Sequence, residues 1–283
     1  MILVILAAVA IFLIVQSIPA FVATGETASV LTTNFWDYVG PLVFGTVWAA
    51  VLALIIALPL SIGIALFISH YAPRKLSQFL GYLIDLLSAV PSVVYGLWGI
   101  LVLAPAVRPL YVWLNEHAGW IPLFGGTASG TGRTILTAAI VLAVMILPVM
   151  TAISREVFLQ APKLNEEAAL ALGATRWEMI RLSVLPFAKP GIISGAMLGL
   201  GRALGETMAV AMVLSASGIV SFKLLTADNP STIAANIALT FPEAYGENVN
   251  VLIATGLILF IVTFLVNALA RWIVSRQTAR TGA

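Results

Sequence analysis

Six stretches of this chain are apolar over lengths that match a bilayer core, near 1–21, 42–69, 77–104, 134–154, 187–215 and 249–272. A lipid core offers no partner for backbone N–H and C=O groups. Each stretch must therefore close its own hydrogen bonds, which about 20 helical residues do across a membrane. Only 9% of the residues are charged, against about 25% in soluble domains. The expected fold is an all-α membrane protein with six transmembrane helices. The start MILVILAAVA has no basic residue ahead of it, and its apolar run is long for a signal peptide. It is read as a retained span, and the same lack points to a natural start upstream of Met1.

Lys and Arg set the orientation. Arg74, Lys75, Arg155, Lys163, Arg176, Arg181, Lys189, Arg271, Arg276 and Arg280 fall in one set of loops, and only Arg108, Arg133 and Lys223 in the other. The first set is cytoplasmic, so both termini face inward. Trp36, Trp113, Trp120 and Trp272 stand near span ends, where interfacial anchors belong. The stretches 105–133 and 216–248 read as long outer loops, with a short helix at STIAANIALTF.

Several chemistries are excluded. There are no cysteines, and the two histidines, His70 and His117, are far apart and outside the predicted spans. Such a set gives no metal site. No G-x-x-x-x-G-K-[ST] occurs, so the chain has no phosphate cradle for ATP. No nucleophile–base constellation and no basic aromatic patch for nucleic acid is present. The chain is not expected to be an enzyme or to carry a cofactor.

The polar segment EEAALALGATRWEMIRLSVLP, from Glu166 to Pro186, interrupts the oily pattern. Pro162 restarts a helix, and Leu164, Ala168 and Leu172 form one apolar stripe at i, i+4, i+8. Gly173 is a helix stop, and Thr175 with Glu178 matches a capping box that starts a second helix. The segment is a helix–glycine–helix device at the cytoplasmic surface. Its stripe suits either lipid headgroups or a groove on a partner.

In the fifth span, Gly191, Gly195 and Gly199 are spaced for close helix packing. Arg202 and Glu206 stand at i, i+4, as a pair on one helix face would. A charge near mid-bilayer costs about 2.5–3.5 kcal/mol on insertion scales, so such residues face protein or a watery path. Asp85, in YLIDLLSAVPSVVYGLWG, is a third intramembrane charge, and Pro91 of the same span can kink it.

Glu167, Ala168, Ala169, Gly173, Leu185 and Pro186 resemble the EAA loop of binding-protein-dependent ABC importer permeases, with Ser183 where that pattern has isoleucine. Together with GRALGETMAVAMV and SAVPSVVYGLWGILVLAP, the loop is similar to the PstC-type permease of phosphate ABC importers. The resemblance implies a type I ABC importer permease fold with a cytoplasmic coupling helix, in a bacterial or archaeal cytoplasmic membrane. It implies that Glu166, Glu167, Ala168, Ala169 and Gly173 couple to an ATPase, which would hold the ATP and Mg2+. It implies that Arg202, Glu206, Asp85 and Thr207 line a phosphate path. The implied partners are a sister PstA-type permease, an ATPase dimer and an extracytoplasmic phosphate-binding protein. The implied organisation is a first helix and outer loop over 1–40, an importer transmembrane domain over 41–275 with its EAA loop at 155–186, and a tail over 276–283. Sulfate or molybdate remains an alternative cargo. A secondary transporter would have no need of the loop, and an intramembrane enzyme would need a pair of catalytic groups that the spans lack.

Overall fold

The computed structural model describes residues 2–31 and 33–281. Among them every regular element is helical, apart from two isolated bridges, Thr24 to Asn34 and Ala216 to Asn229. Helix α1 is Ile2–Ser17, and α2 is Phe35–Leu66, continued by a π turn at Phe67–Tyr71. Helix α3, Arg74–Ser88, stops before Pro91. Helix α4, Ser92–Trp98, runs through a second π turn, Gly99–Leu103, into α5, Ala104–Ala118. Helix α6 is Ile135–Leu159, and α7 is Lys163–Ala171. Helix α8, Arg176–Met179, passes through a third π turn, Ile180–Val184, into α9, Leu185–Leu204. Helices α10, Met208–Val213, α11, Ile233–Thr240, and α12, Glu247–Thr281, complete the order.

Five of these runs are long and apolar enough to cross a membrane: Phe35–Tyr71, Ser92–Ala118, Ile135–Leu159, Arg176–Leu204 and Glu247–Leu269. The stretch Ala7–Phe21 is a shorter apolar helix. Two predicted spans are redrawn. The span expected at 77–104 is two helices, because Pro91 has no N–H to give and its ring biases Val90 away from helix. Its second helix extends to Ala118, through ground expected to be loop. The span expected at 187–215 starts earlier, at Arg176, and ends at Leu204. Helix α12 continues to Thr281, so the expected tail is helical as far as the structure describes it. Residues 282 and 283 lie outside the described residues.

The chain divides into two compact units, one of residues 1–52, 91–142 and 203–265, the other of 53–90, 143–202 and 266–283. In the first, Ala20, Ala23, Ala28, Leu31, Phe35 and Val39 bury against Val251 and Ala254. Asn248 ties the same region together, accepting from the Val30 N–H at 3.1 Å and donating to Ser29 Oγ at 3.0 Å. The segment after α10 is organised by the fully buried Asn229. Its Nδ2 donates to the carbonyls of Ser215 and Thr226, and its Oδ1 accepts from the Ile135 N–H at the start of α6. A buried amide that left these groups unpaired would cost about 1–3 kcal/mol each.

In the second unit, Ala65, Leu66, Phe158, Ala161, Met179, Ile180, Val184 and Ala188 form one buried cluster. Helix α9 lies against α6 along a glycine row. A Cβ at Gly191 would overlap the Val157 side chain, one at Gly195 would stand 3.2 Å from Ile153 Cγ2, and one at Gly199 would stand 2.9 Å from Met150 Cγ. Gly201 has nothing within 4 Å of its would-be Cβ. Gly191→Leu is therefore expected to destabilise the protein by about 1–3 kcal/mol, the usual cost of overpacking. Gly201→Ala should stay within about 0.5 kcal/mol. Thermal melting in detergent, followed by circular dichroism, reads both, and equal melting temperatures would count against the glycine row as a packing seam.

Candidate functional site

The cytoplasmic segment of the second unit is built by three local devices. Pro162, with φ −63° and ψ 115°, is the extended residue ahead of α7. At the other end, Gly173 has φ +87°. Its N–H donates to the Leu170 carbonyl at 3.0 Å, while the Ala174 N–H reaches the Ala169 carbonyl at 3.1 Å. That pair of bonds is a Schellman ending, which needs a residue at ease in the left-handed region. Two residues later Thr175 opens α8 with a reciprocal capping box. The Glu178 N–H donates to Thr175 Oγ1 at 3.3 Å, and the Thr175 N–H donates to Glu178 Oε2 at 2.7 Å. One helix is thus closed and the next opened across Gly173, Ala174 and Thr175.

Helix α7 has two unlike faces. Ala169 packs against the buried cluster of the unit, and the Asn165 carbonyl accepts from Ser183 Oγ at 3.3 Å. On the other face Leu164 is 80% exposed and Leu172 is 90% exposed, with Ala168 exposed between them. Glu167 is exposed, and so is Trp177 in α8. Glu166 departs from the sequence expectation of a residue offered outward: it is half-buried, and its Oε1 lies 3.8 Å from His70 Nε2. Periodicity missed this contact because His70 is nearly a hundred positions away, at the end of another span. The one available signal was a histidine at a span end, three residues before Pro73.

The charged residues of the fifth span are arranged differently from the expected i, i+4 pair. Helix α9 ends at Leu204, so Arg202 and Glu206 do not share a helix face. Arg202 is half-buried and one turn past Gly199, which faces Met150 and Ile146 near the middle of α6. Glu206 is buried, 8% exposed, in the break that precedes α10. Its Oε1 accepts from the Ala209 N–H at 3.1 Å, satisfying one of the N–H groups that a helix start leaves unpaired. Thr207, between the break and α10, has φ −111° and ψ −68° and donates its hydroxyl to the Gly205 carbonyl at 3.2 Å. Helix α10 packs closely on α4: a Cβ at Gly96 would stand 2.9 Å from the Ala209 Cα. Asp85 is exposed on α3. Among the described residues the one contact within 4.0 Å between a basic side chain and a carboxylate is that of His70 Nε2 with Glu166 Oε1.

The cap gives a direct test. Glu206→Ala strips the first turn of α10 of its acceptor and is expected to cost about 1 kcal/mol, the size of a lost cap. Glu206→Gln keeps a carbonyl oxygen in the same place and should recover most of that. Unfolding in detergent would show whether the two variants separate.

Over residues 57–279 the chain matches the family described as binding-protein-dependent transport system inner membrane component. It is 46% identical over 277 residues to the phosphate transport system permease protein PstC 2 of Mycobacterium tuberculosis, covering 93% of this chain and 84% of that protein. It is 42% identical over 295 residues to the phosphate transport system permease protein PstC of Mesorhizobium japonicum, covering 100% and 88%. Among solved structures, an inward-facing MetNI methionine ABC transporter has a similar chain, with a TM-score of 0.61 at 15% identity, covering 85% of this chain and 96% of that one. A bacterial ABC transporter that imports alginate gives a TM-score of 0.59 at 16% identity, covering 83% and 78%. At these identities the structural likeness establishes a shared importer-permease fold and leaves the cargo open.

Proposed function

The chain belongs to the binding-protein-dependent transport system inner membrane component family, and we propose that it is the phosphate-conducting permease subunit of an ATP-driven importer. It is a multi-pass protein of the cytoplasmic membrane. In this reading a sister permease completes the path, a separate ATPase dimer with ATP and Mg2+ supplies the energy, and an extracytoplasmic protein delivers phosphate. The chain itself hydrolyses nothing. The observation that carries the cargo is the 42–46% identity, over most of the chain, to phosphate permeases.

The geometry supports a division of labour. The exposed stripe of Leu164, Ala168 and Leu172, with Glu167 beside it, is an apolar ridge with a polar edge, suited to a groove on the ATPase. Gly173 fixes the end of that ridge. Arg202, held level with the middle of α6, offers paired N–H donors that match phosphate oxygens. Glu206 and Thr207 sit at a helix break, where backbone groups are free to face a watery path. Asp85 adds a carboxylate on α3, and a cation from the sister permease would balance it.

Three measurements test this reading. Radiolabelled phosphate uptake at low external phosphate should fall in cells lacking the gene and return with it. Uptake indifferent to the gene, or restored instead for sulfate or molybdate, would overturn the cargo. Arg202→Lys should cut phosphate uptake about 10-fold or more through loss of the bidentate fork, with the complex still assembled. Full uptake by that variant would remove Arg202 from the path. Gly173→Trp meets no neighbour at its Cβ, since nothing lies within 4 Å of that position. It instead carries a backbone penalty of about 1–2 kcal/mol at φ +87°. The permease pair should assemble and fail to retain its ATPase on purification, and an intact, fully active complex would speak against docking through α7.

A further inference from the structure

Three contacts hold α7 to its own unit: the Ala169 packing, the Ser183 to Asn165 hydrogen bond, and Glu166 facing His70. The third reaches the turn that ends α2, and it stands beside the Ala169 packing, whose cluster also includes Ala65 and Leu66 of α2. The π turn Phe67–Tyr71 closes α2 with the Ala72 N–H reaching the Phe67 carbonyl at 2.8 Å, and it carries His70 on its last turn. His70 is itself fixed on two sides. Its Nδ1 lies 2.7 Å from Ser69 Oγ, and its ring meets Phe158 edge-on at 6.4 Å. Ser69 Oγ donates to the Ala65 carbonyl at 2.8 Å. With that hydrogen used, the Ser69 oxygen accepts from Nδ1–H, which fixes the ring with Nε2 turned to Glu166 Oε1, 3.8 Å away. Glu166 is the one carboxylate within 4.0 Å of the ring among the described residues. Arg74 and Lys75, which open the neighbouring α3, are exposed.

We infer that His70 and Glu166 are a positioning pair that fastens the coupling helix α7 to the cytoplasmic end of α2, so that a displacement of α7 is passed to a membrane-crossing helix. The pair touches neither cargo nor nucleotide and acts through α7, and this rests on the reading of α7 as the ATPase-docking helix. Glu166 and Glu167 then have opposite duties: the first is turned inward to hold, the second outward to dock. Without the pair, α7 keeps its Ala169 packing and its stripe. It still binds the ATPase, and part of each stroke is lost in slippage against α2.

The whole complex, reconstituted in proteoliposomes with its binding protein, tests this with His70→Ala, Glu166→Ala, the double variant and His70→Arg. Phosphate carried per ATP hydrolysed should fall about threefold to tenfold in each single variant, the range expected of residues that modulate coupling without contacting ligand. The double variant should fall no further than either single, since both remove one interaction. His70→Arg, which places a cation opposite Glu166, should recover at least half of the loss seen in His70→Ala. The ATPase subunit should co-purify with every variant. An unchanged ratio in both single variants, additive losses, or loss of the ATPase subunit from Glu166→Ala would each overturn the pair. A wild-type complex that moves no phosphate would sink the functional reading alone. The pair is read independently in the same samples by amide hydrogen exchange over residues 163–172. Exchange should accelerate alike in His70→Ala and Glu166→Ala, and exchange equal to the wild type would overturn it.

Discussion

A bilayer hydrogen-bonds nothing, so a helix that breaks inside it must have its loose backbone groups met by the protein. Among the described residues the chain breaks within its apolar stretches at 89–91 and at 205–207. Each break is met by a different means. At the first, Pro91 removes a donor, and the Val94 N–H returns to the Pro91 carbonyl at 3.0 Å. At the second, the Glu206 carboxylate takes the Ala209 N–H. The two helices that start after these breaks, α4 and α10, shield one another by close packing. Gly96 of α4 lets the backbone of α10 approach where no larger residue would fit. A charged residue that looks in sequence like a transport group is thus also part of the scaffold. Removing it has two consequences that only a stability measurement beside a transport measurement separates.

The cytoplasmic end obeys the opposite rule. Water is present there, so backbone groups need no cover and helix ends can be set by local signals alone. Gly173, Ala174 and Thr175 do this by closing one helix and opening the next without a loop. A connection so short has few soft dihedrals to bend. The exposed apolar ridge of α7 is consequently carried on a stiff mount, and its long leucines point away from the chain that bears them.

Local chemistry decided what could be read from the residues. The glycine stop, the capping box and the span-forming runs are signals confined to a few neighbours or to average hydropathy, and they were legible. Of the helix breaks, the first was signalled only as a kink at Pro91 and the second not at all. LSAVPS and ALGETMAV are apolar enough to pass as continuous span, and only the packing of α10 on α4 makes an interrupted helix tolerable. The supposed Arg202–Glu206 pair failed for the same reason, since its spacing holds only on an unbroken helix. Asn229 and His70 were invisible because their partners lie far along the chain. A polar residue in a loop and a histidine at a span end have many unremarkable explanations.

The three π turns constrain the chain on either side of them by angle. A turn closed by i to i+5 bonds contains one residue more than an α turn, and each residue of helix rotates the chain by about 100°. The turn at Ile180–Val184 stands between the Thr175 capping box and the Gly191, Gly195, Gly199 row. It therefore sets the phase between the mount outside the membrane and the seam inside it. Shortening that turn by one residue would leave every side chain of both elements intact and still swing the glycines off α6. Composition along that stretch can change without turning either end; the count of residues between them sets the rotation.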